Sequence, residues 1–263
     1  MSREFIIGGI SGVVSRTLTA PLELYKLQRQ NAFMPGGTVR AVFREEGIRY
    51  LWKGNLTNCV RVFPQNAVNF CVYSWCDESV LRRIEDRTTR RFFSGAVGGA
   101  VSMILVYPLD TIRTRLSLQR HANHYTGLCD AISRISRNDL FKGLRMSILG
   151  YAPFSAISFS SYFSYRDFLD AMNPVSRSYN TIMAGGLSGL TAIAVTYPTD
   201  LIRKRLQLQN FDKNVPRYSG IVDCAQKIIT TQGVRGLYMG LFATCIKLFP
   251  TVGIQFFVLE NLR

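Results

Sequence analysis

Pro21-Leu-Glu-Leu-Tyr-Lys26 returns 87 residues later as Pro108-Leu-Asp-Thr-Ile-Arg113 and, after a further 90, as Pro198-Thr-Asp-Leu-Ile-Arg203. Each copy carries a proline, an acid two residues on and a base three beyond that. An aromatic-basic-glycine landmark follows: Trp52-Lys53-Gly54, Phe141-Lys142-Gly143 and the weaker Tyr238-Met239-Gly240. A proline then stands ten residues past each of those glycines, at Pro64, Pro153 and Pro250. Three marks in the same order define a repeat of about ninety residues, with units at 1–86, 87–173 and 174–263. Units this long, three in number, point to pseudo-threefold closure.

Each unit reads as a long helix, a short polar helix and a second long helix. Uncharged runs fill 94–109, 146–165 and 178–199, and the last two are long enough to cross a hydrocarbon core of about 30 Å at about 1.5 Å per residue. The runs at 62–76 and 248–259 are shorter and need flanking polar residues that face water or each other. The expected fold is an all-α membrane protein of six transmembrane helices. A mean hydropathy of +0.08 is low for such a protein, but helices around an aqueous cavity need only one lipid-facing stripe each. Glycine groups upstream of the signature prolines, Gly8-Gly9 with Gly12, Gly95 with Gly98-Gly99, and Gly185-Gly186 with Gly189, would let such helices approach closely.

The chain has 263 residues, 47% hydrophobic, and a net charge of +15, which calls for an anionic partner. A soluble basic helical-repeat protein on nucleic acid would also explain that charge, but not the uncharged run at 178–199. The six cysteines are scattered without a CxxC pair, and His121 and His124 lie in a polar stretch with no carboxylate or cysteine within four residues of either. No metal site, cofactor fingerprint or enzyme signature is present, so a non-enzyme is expected. The first residues carry neither a secretory nor a transit signal, so any address is expected to be internal.

A proline within a helix removes a backbone hydrogen bond and bends the axis. The acids Glu23, Asp110 and Asp200 and the bases Lys26, Arg113 and Arg203 could then pair between neighbouring helices and close one mouth of a cavity. The competing arrangement is an i,i+3 pair within each helix, which threefold recurrence disfavours. Residues that hold an asymmetric cargo should instead break the symmetry. Three residues before the second proline of each unit stand Arg61, Gly150 and Lys247, two cations and a gap. Arg16, five before Pro21, is matched by Met103 and Ile193. Unpaired cations at this depth would await an anion, with a phosphate group on one side and a flat or bulky group on the other. Asn69, Tyr151 and Ser155 complete the candidate substrate set.

These features resemble the mitochondrial carrier family. Its signature PX[DE]XX[KR] is met in all three units. Its [DE]GX4[WYF][KR]G motif is met fully from Glu46-Gly47 to Gly54, partly from Gln232-Gly233 to Gly240, and in shortened form at Asn138-Asp139-Leu140 before Phe141. The resemblance spans nearly the whole chain. It implies a six-helix pseudo-threefold bundle with short matrix helices, a multi-pass monomer of the mitochondrial inner membrane that exchanges anionic metabolites by alternating access. It implies a matrix gate in which Glu23 faces Arg113, Lys26 faces Asp200 and Asp110 faces Arg203. Gln30 and Gln207 would brace it, with Ser117 in the third place. Trp52, Lys53, Gly54, Phe141, Lys142, Gly143 and Gly240, with Tyr238, resemble the family's cardiolipin-headgroup sites. The cytosolic gate departs from the family pattern: Asp77, Arg166, Glu260 and Arg263 are its remaining charges, and Asp77 falls where a base is usual. A weak cytosolic gate should favour the state closed towards the matrix.

Gly9 to Pro21, Gly54 to Pro64 and Lys247-Leu-Phe-Pro250 resemble the nucleotide branch of the family, which includes the ADP/ATP, ATP-Mg/phosphate and coenzyme A carriers. Arg61, Gly150 with Tyr151, and Lys247 match that branch's contact points, although Tyr151 stands where a smaller aliphatic residue is usual. Arg203-Lys-Arg-Leu-Gln207 replaces the RRMMM run of the ADP/ATP carrier, which disfavours strict ADP/ATP exchange. No calcium-binding arm precedes the first helix, so calcium control is not expected. A carrier for another small anion, such as a carboxylate or phosphate, is the alternative.

Overall fold

The computed structural model describes residues 2–31, 44, 47–81, 86–119, 125–172, 177–211 and 215–261, and all regular structure among them is helical. In the first repeat α1 (Ser2–Leu18) and α2 (Ala20–Gln30) together make the first long helix, and α3 (Asn55–Trp75) is the second, continued by a π turn at Cys76–Val80. The second repeat has α4 (Arg87–Leu118), the short α5 (Leu128–Arg134) and α6 (Arg137–Leu140), and α7 (Leu144–Met172). The third has α8 (Arg177–Gln207), the short α9 (Ile221–Gln232) and α10 (Leu241–Asn261). Single 3₁₀ turns at Ile48–Trp52 and Val234–Tyr238 lead into α3 and α10.

The prolines act unequally. α4 and α8 run through Pro108 and Pro198, whereas in the first repeat the helix breaks at Thr19, just before Pro21. Proline has no N–H to offer the carbonyl four residues back. The Thr17 carbonyl instead accepts from Trp52 Nε1 at 2.9 Å, which ties the break to the turn that starts α3.

The long helices close into a bundle. α3 packs on α4, α7 on α8, and α10 returns to α1, so the last helix meets the first. The buried core lies where the first long helix of each repeat ends and the short helices pack. Leu27, Leu118, Leu208, Phe211 and Val215 join all three helix ends there. Met146, Leu201, Ile202, Leu206, Cys224 and Ile228 fill the contact of α8 with α9, and Ile112, Leu116, Ala131 and Ile135 that of α4 with α5. Along the spans, large apolar side chains stay exposed: Leu105 (62%), Leu149 (61%), Phe242 (76%) and Phe249 (65%). Apolar exposure on this scale suits lipid rather than water.

Among the described residues, two helical stretches, Thr88–Leu118 and Val234–Gln255, are long and apolar enough to cross a membrane by length and composition alone. This reorders the sequence expectation. The uncharged run in α8 is diluted by serine, threonine, glycine and tyrosine, while the shorter run in α10 is nearly all apolar. The close-approach reading of the glycines holds in part. Gly9 lies against Phe63, Gly12 against Val62, and Gly98 against the Asn69 backbone, but Gly185, Gly186 and Gly189 on α8 face open space.

Candidate functional site

Gly54, Gly143 and Gly240 begin the second long helix of each repeat, with φ of +79°, +85° and +91°, a region that side chains with a Cβ rarely enter. A Cβ would also collide with the neighbouring repeat. It would meet Ser117 Oγ at 2.4 Å from Gly54, the Arg203 carbonyl oxygen at 2.9 Å from Gly143 and Gln30 Cγ at 3.1 Å from Gly240, besides the hydroxyls of Tyr107 and Tyr197, at 2.8 Å each, in the glycine's own repeat. The tyrosines complete these joints, Tyr107 donating to the Lys142 carbonyl at 2.7 Å and Tyr197 to the Met239 carbonyl at 2.9 Å. Each repeat is thereby seated against the signature segment of the next.

Above these joints the signature charges pair between repeats. Arg113 meets Glu23 at 3.0 Å, Lys26 meets Asp200 at 3.0 Å, and Arg203 pairs with Asp110. Gln30 Nε2 donates to Asp200 Oδ2 at 3.1 Å and to Tyr197 Oη at 3.1 Å, and Gln207 Nε2 donates to Asp110 Oδ2 at 3.0 Å. Ser117, in the third position, packs on Gly54 instead. The three joints of the ring are therefore unlike.

The candidate cargo cations are not unpaired, which corrects the expectation from sequence. Arg61 Nη1 donates to Asp110 Oδ1 at 3.0 Å, and Lys247 Nζ is paired with Glu23 Oε2. The physical reason is the cost of burying a lone charge: the ring's own acids are the counter-ions within reach. Arg61 retains a buried Nε without a partner. Arg16 reaches the Asn58 side-chain and backbone oxygens, at 3.3 and 3.4 Å.

Among the described residues, two sizeable cavities border this ring. One of about 180 Å³ is lined by Arg16, Arg61, Arg113 and Lys247, with Glu23 and the hydroxyls of Ser15, Thr19 and Thr251. The other, of about 290 Å³, is mainly apolar, with Met103, Gly150, Tyr151, Phe154 and Ile193 above Lys26, Asp200 and Arg203. Gly150 is packed against Thr199, and Tyr151 lays its hydroxyl over Gly99 of α4. Asn69 and Ser155 line neither cavity; Asn69 lies at Gly98, on the contact of α3 with α4.

Some residues at this site were not read from the sequence. Lys204 donates to Asp110 Oδ2 at 3.0 Å, Thr114 Oγ1 at 3.1 Å and Gln207 Oε1 at 3.0 Å. Arg115 donates to the Gln207 and Gln209 carbonyls at 3.1 and 2.9 Å, capping the C-terminal end of α8, and Arg205 does the same at the Gln30 carbonyl at 3.4 Å. A base two places after the signature base, in two of three repeats, was the available signal.

The family described as mitochondrial carrier protein matches residues 1–83, 85–173 and 175–263, one copy per repeat. The chain belongs to the mitochondrial carrier family. It is thus a multi-pass protein of the mitochondrial inner membrane in a family of transporters. The carrier is 30% identical to the mitochondrial adenine nucleotide transporter ADNT1 of Arabidopsis thaliana, over 99% of its own length and 86% of the relative's. It is 32% identical to the mouse mitochondrial adenyl nucleotide antiporter SLC25A24, over 99% of its own length and 57% of that protein. It is 31% identical to the mitochondrial thiamine pyrophosphate carrier 1 of Neosartorya fischeri, over 97% and 90% of the two lengths.

At the opposite end of the carrier, the expected gate charges are engaged with near neighbours. Asp77, in the π turn after α3, accepts from Arg90 Nε at 2.9 Å, and Arg166 lies 3.7 Å from Asp170, one turn along α7. Both partners are local, Arg90 on the adjoining α4 and Asp170 on α7 itself. Asp170 also accepts from Asn180 Nδ2 at 2.8 Å, at the start of α8. Glu260 falls on the last turn of α10, while its side chain and all of Arg263 lie outside the described residues, as do His121 and His124.

The residues expected to hold lipid separate. Phe141, Lys142 and Gly143 line a surface cavity of about 360 Å³ between the second and third repeats, together with Arg145, Tyr218, Ser219 and Gly220. Trp52 is bonded to Thr17, Lys53 sits over the Tyr50 ring at 5.2 Å, and Gly240 lies against Tyr197 and Gln30.

Proposed function

We propose that this carrier exchanges adenine nucleotides, or nucleotide-like phosphorylated anions, across the inner membrane by alternating access. The observation that carries this is the pairing of a cationic cavity with an apolar one at the same ring. Arg16, Arg61 and Lys247 would meet the phosphates, while Gly150, Tyr151 and Phe154 would receive the flat group. The names of the plant and mouse relatives support the same cargo class. The ring of Glu23, Lys26, Asp110, Arg113, Asp200 and Arg203, with its Gln30 and Gln207 braces, is the matrix gate, and it is closed. Cargo phosphate competes with Asp110 and Glu23 for Arg61 and Lys247, so binding loosens the gate as it fills the site. The cavity lined by Lys142 and Arg145 is where a cardiolipin headgroup docks on a carrier that works as a monomer.

Purified protein in liposomes tests this. ATP or ADP should exchange, and Arg61→Ala or Lys247→Ala should abolish that exchange. Unaltered uptake by both variants would reject the site. The thiamine pyrophosphate relative favours a second phosphorylated cargo with a flat ring, so the panel includes thiamine pyrophosphate, coenzyme A, phosphate and a dicarboxylate. Transport of the dicarboxylate alone would overturn the reading.

A further inference from the structure

Lys204 has no counterpart in the other repeats. The equivalent positions are Leu27, buried in the apolar cluster of helix ends, and Thr114, which itself accepts from Lys204. Its side chain is only 7% exposed, and its ammonium has a carboxylate, a hydroxyl and an amide oxygen as acceptors, all within 3.1 Å. It lines neither cavity beside the ring. Asp110, on the second repeat, is therefore bound to the third through Arg203, Lys204 and Gln207, and to the first through Arg61.

We infer that Lys204 is a positioning residue that keeps the empty carrier from switching, and so makes transport an obligatory exchange. The inference rests on the reading that cargo draws Arg61 away from Asp110. When that happens, Arg203 and Lys204 still neutralise the acid, and the bound cargo supplies the free energy for the remaining contacts to part. Without cargo, Asp110 must leave three cations with no replacement anion. That barrier is what forbids unidirectional flux, and of the three cations Lys204 is the one that stands outside the signature motif and lines neither cavity beside the ring.

Proteoliposomes loaded with labelled ATP separate the two ideas. Efflux is measured with and without external counter-substrate, for wild type, Lys204→Met, Lys204→Arg and Arg61→Ala, and the ATP-induced rise in melting temperature is measured on each protein in detergent. Lys204→Met should raise efflux without counter-substrate, relative to exchange, by about tenfold, the yield of one hydrogen bond between charged groups. It should keep the ATP-induced thermal shift, and Lys204→Arg should restore the wild-type ratio. An unchanged ratio in folded Lys204→Met would overturn the inference. Loss of the ATP shift in that variant would also overturn it, making Lys204 a cargo contact. Retention of the shift in Arg61→Ala would instead strike the substrate-site reading. Should Lys204→Met not fold, Lys204→Thr, which copies the second repeat, gives the same comparison.

Discussion

Asp110 accepts from Arg61 through one carboxylate oxygen and from Arg203, Lys204 and Gln207 through the other, while Asp200 accepts from Lys26 and Gln30 and is a third exposed. Removing a buried acid strands its cations, at a typical cost of about 3–5 kcal/mol, whereas a solvated pair is worth about 0–1 kcal/mol. Asp110→Asn should therefore lower the melting temperature in detergent clearly more than Asp200→Asn, as measured by thermal unfolding. Equal shifts would mean that the extra donors on Asp110 contribute nothing. The ring was legible in the sequence because its six residues recur at fixed offsets from a proline. The partners of Arg61 and Lys247 were not, because a linear string shows depth along a helix but not the rotation that brings a cation onto a neighbour's acid. Lys204 was hidden for a different reason: between Arg203 and Arg205 it reads as one more base at a helix end.

The elements meet through the three glycine turns, and there the physics is steric. Gly143→Ala would place a methyl group in a left-handed conformation, at about 1–2 kcal/mol, and drive it to within 2.9 Å of the Arg203 carbonyl oxygen. Gly186→Ala, inside α8 and facing open space, should instead be neutral or stabilising by about 0.5–1 kcal/mol, since alanine favours a helix. Thermal unfolding of the two variants should move in opposite directions or by clearly different amounts. The same packing decides the reactivity of the short helices. Burial in the cluster beneath α8 pushes the Cys224 thiol up to about 12, so it remains protonated and unreactive at neutral and mildly alkaline pH, while Cys129 on α5 is exposed. Maleimide in detergent at pH 7 to 9 should label Cys129 and spare Cys224 until denaturant is added. The long and short helices could be read from landmarks in the chain. The unequal effect of the prolines could not, because the break at Thr19 depends on Trp52 arriving from another element to take the freed Thr17 carbonyl.

For the whole molecule, pseudo-threefold sequence symmetry has produced a ring whose joints differ in strength. Glu23–Arg113 has no glutamine beneath it, Lys26–Asp200 has Gln30, and Asp110–Arg203 has Gln207 and Lys204. A joint made of one acid and one base should tolerate exchange of its charges, because the attraction is the same in either order. A joint in which one acid serves several cations should not, since a base in that place would face the remaining cations at hydrogen-bonding distance. Lys26→Asp or Asp200→Lys alone should abolish exchange in proteoliposomes, and the double variant should recover a substantial part of it. Asp110→Lys with Arg203→Asp should stay inactive, because the new lysine meets Arg61 and Lys204 without a carboxylate on its own helix to receive them. Recovery at both joints would show that the ring works as three interchangeable pairs. Recovery only at Lys26–Asp200 would show that the second and third repeats act as one clamped body against which the first moves.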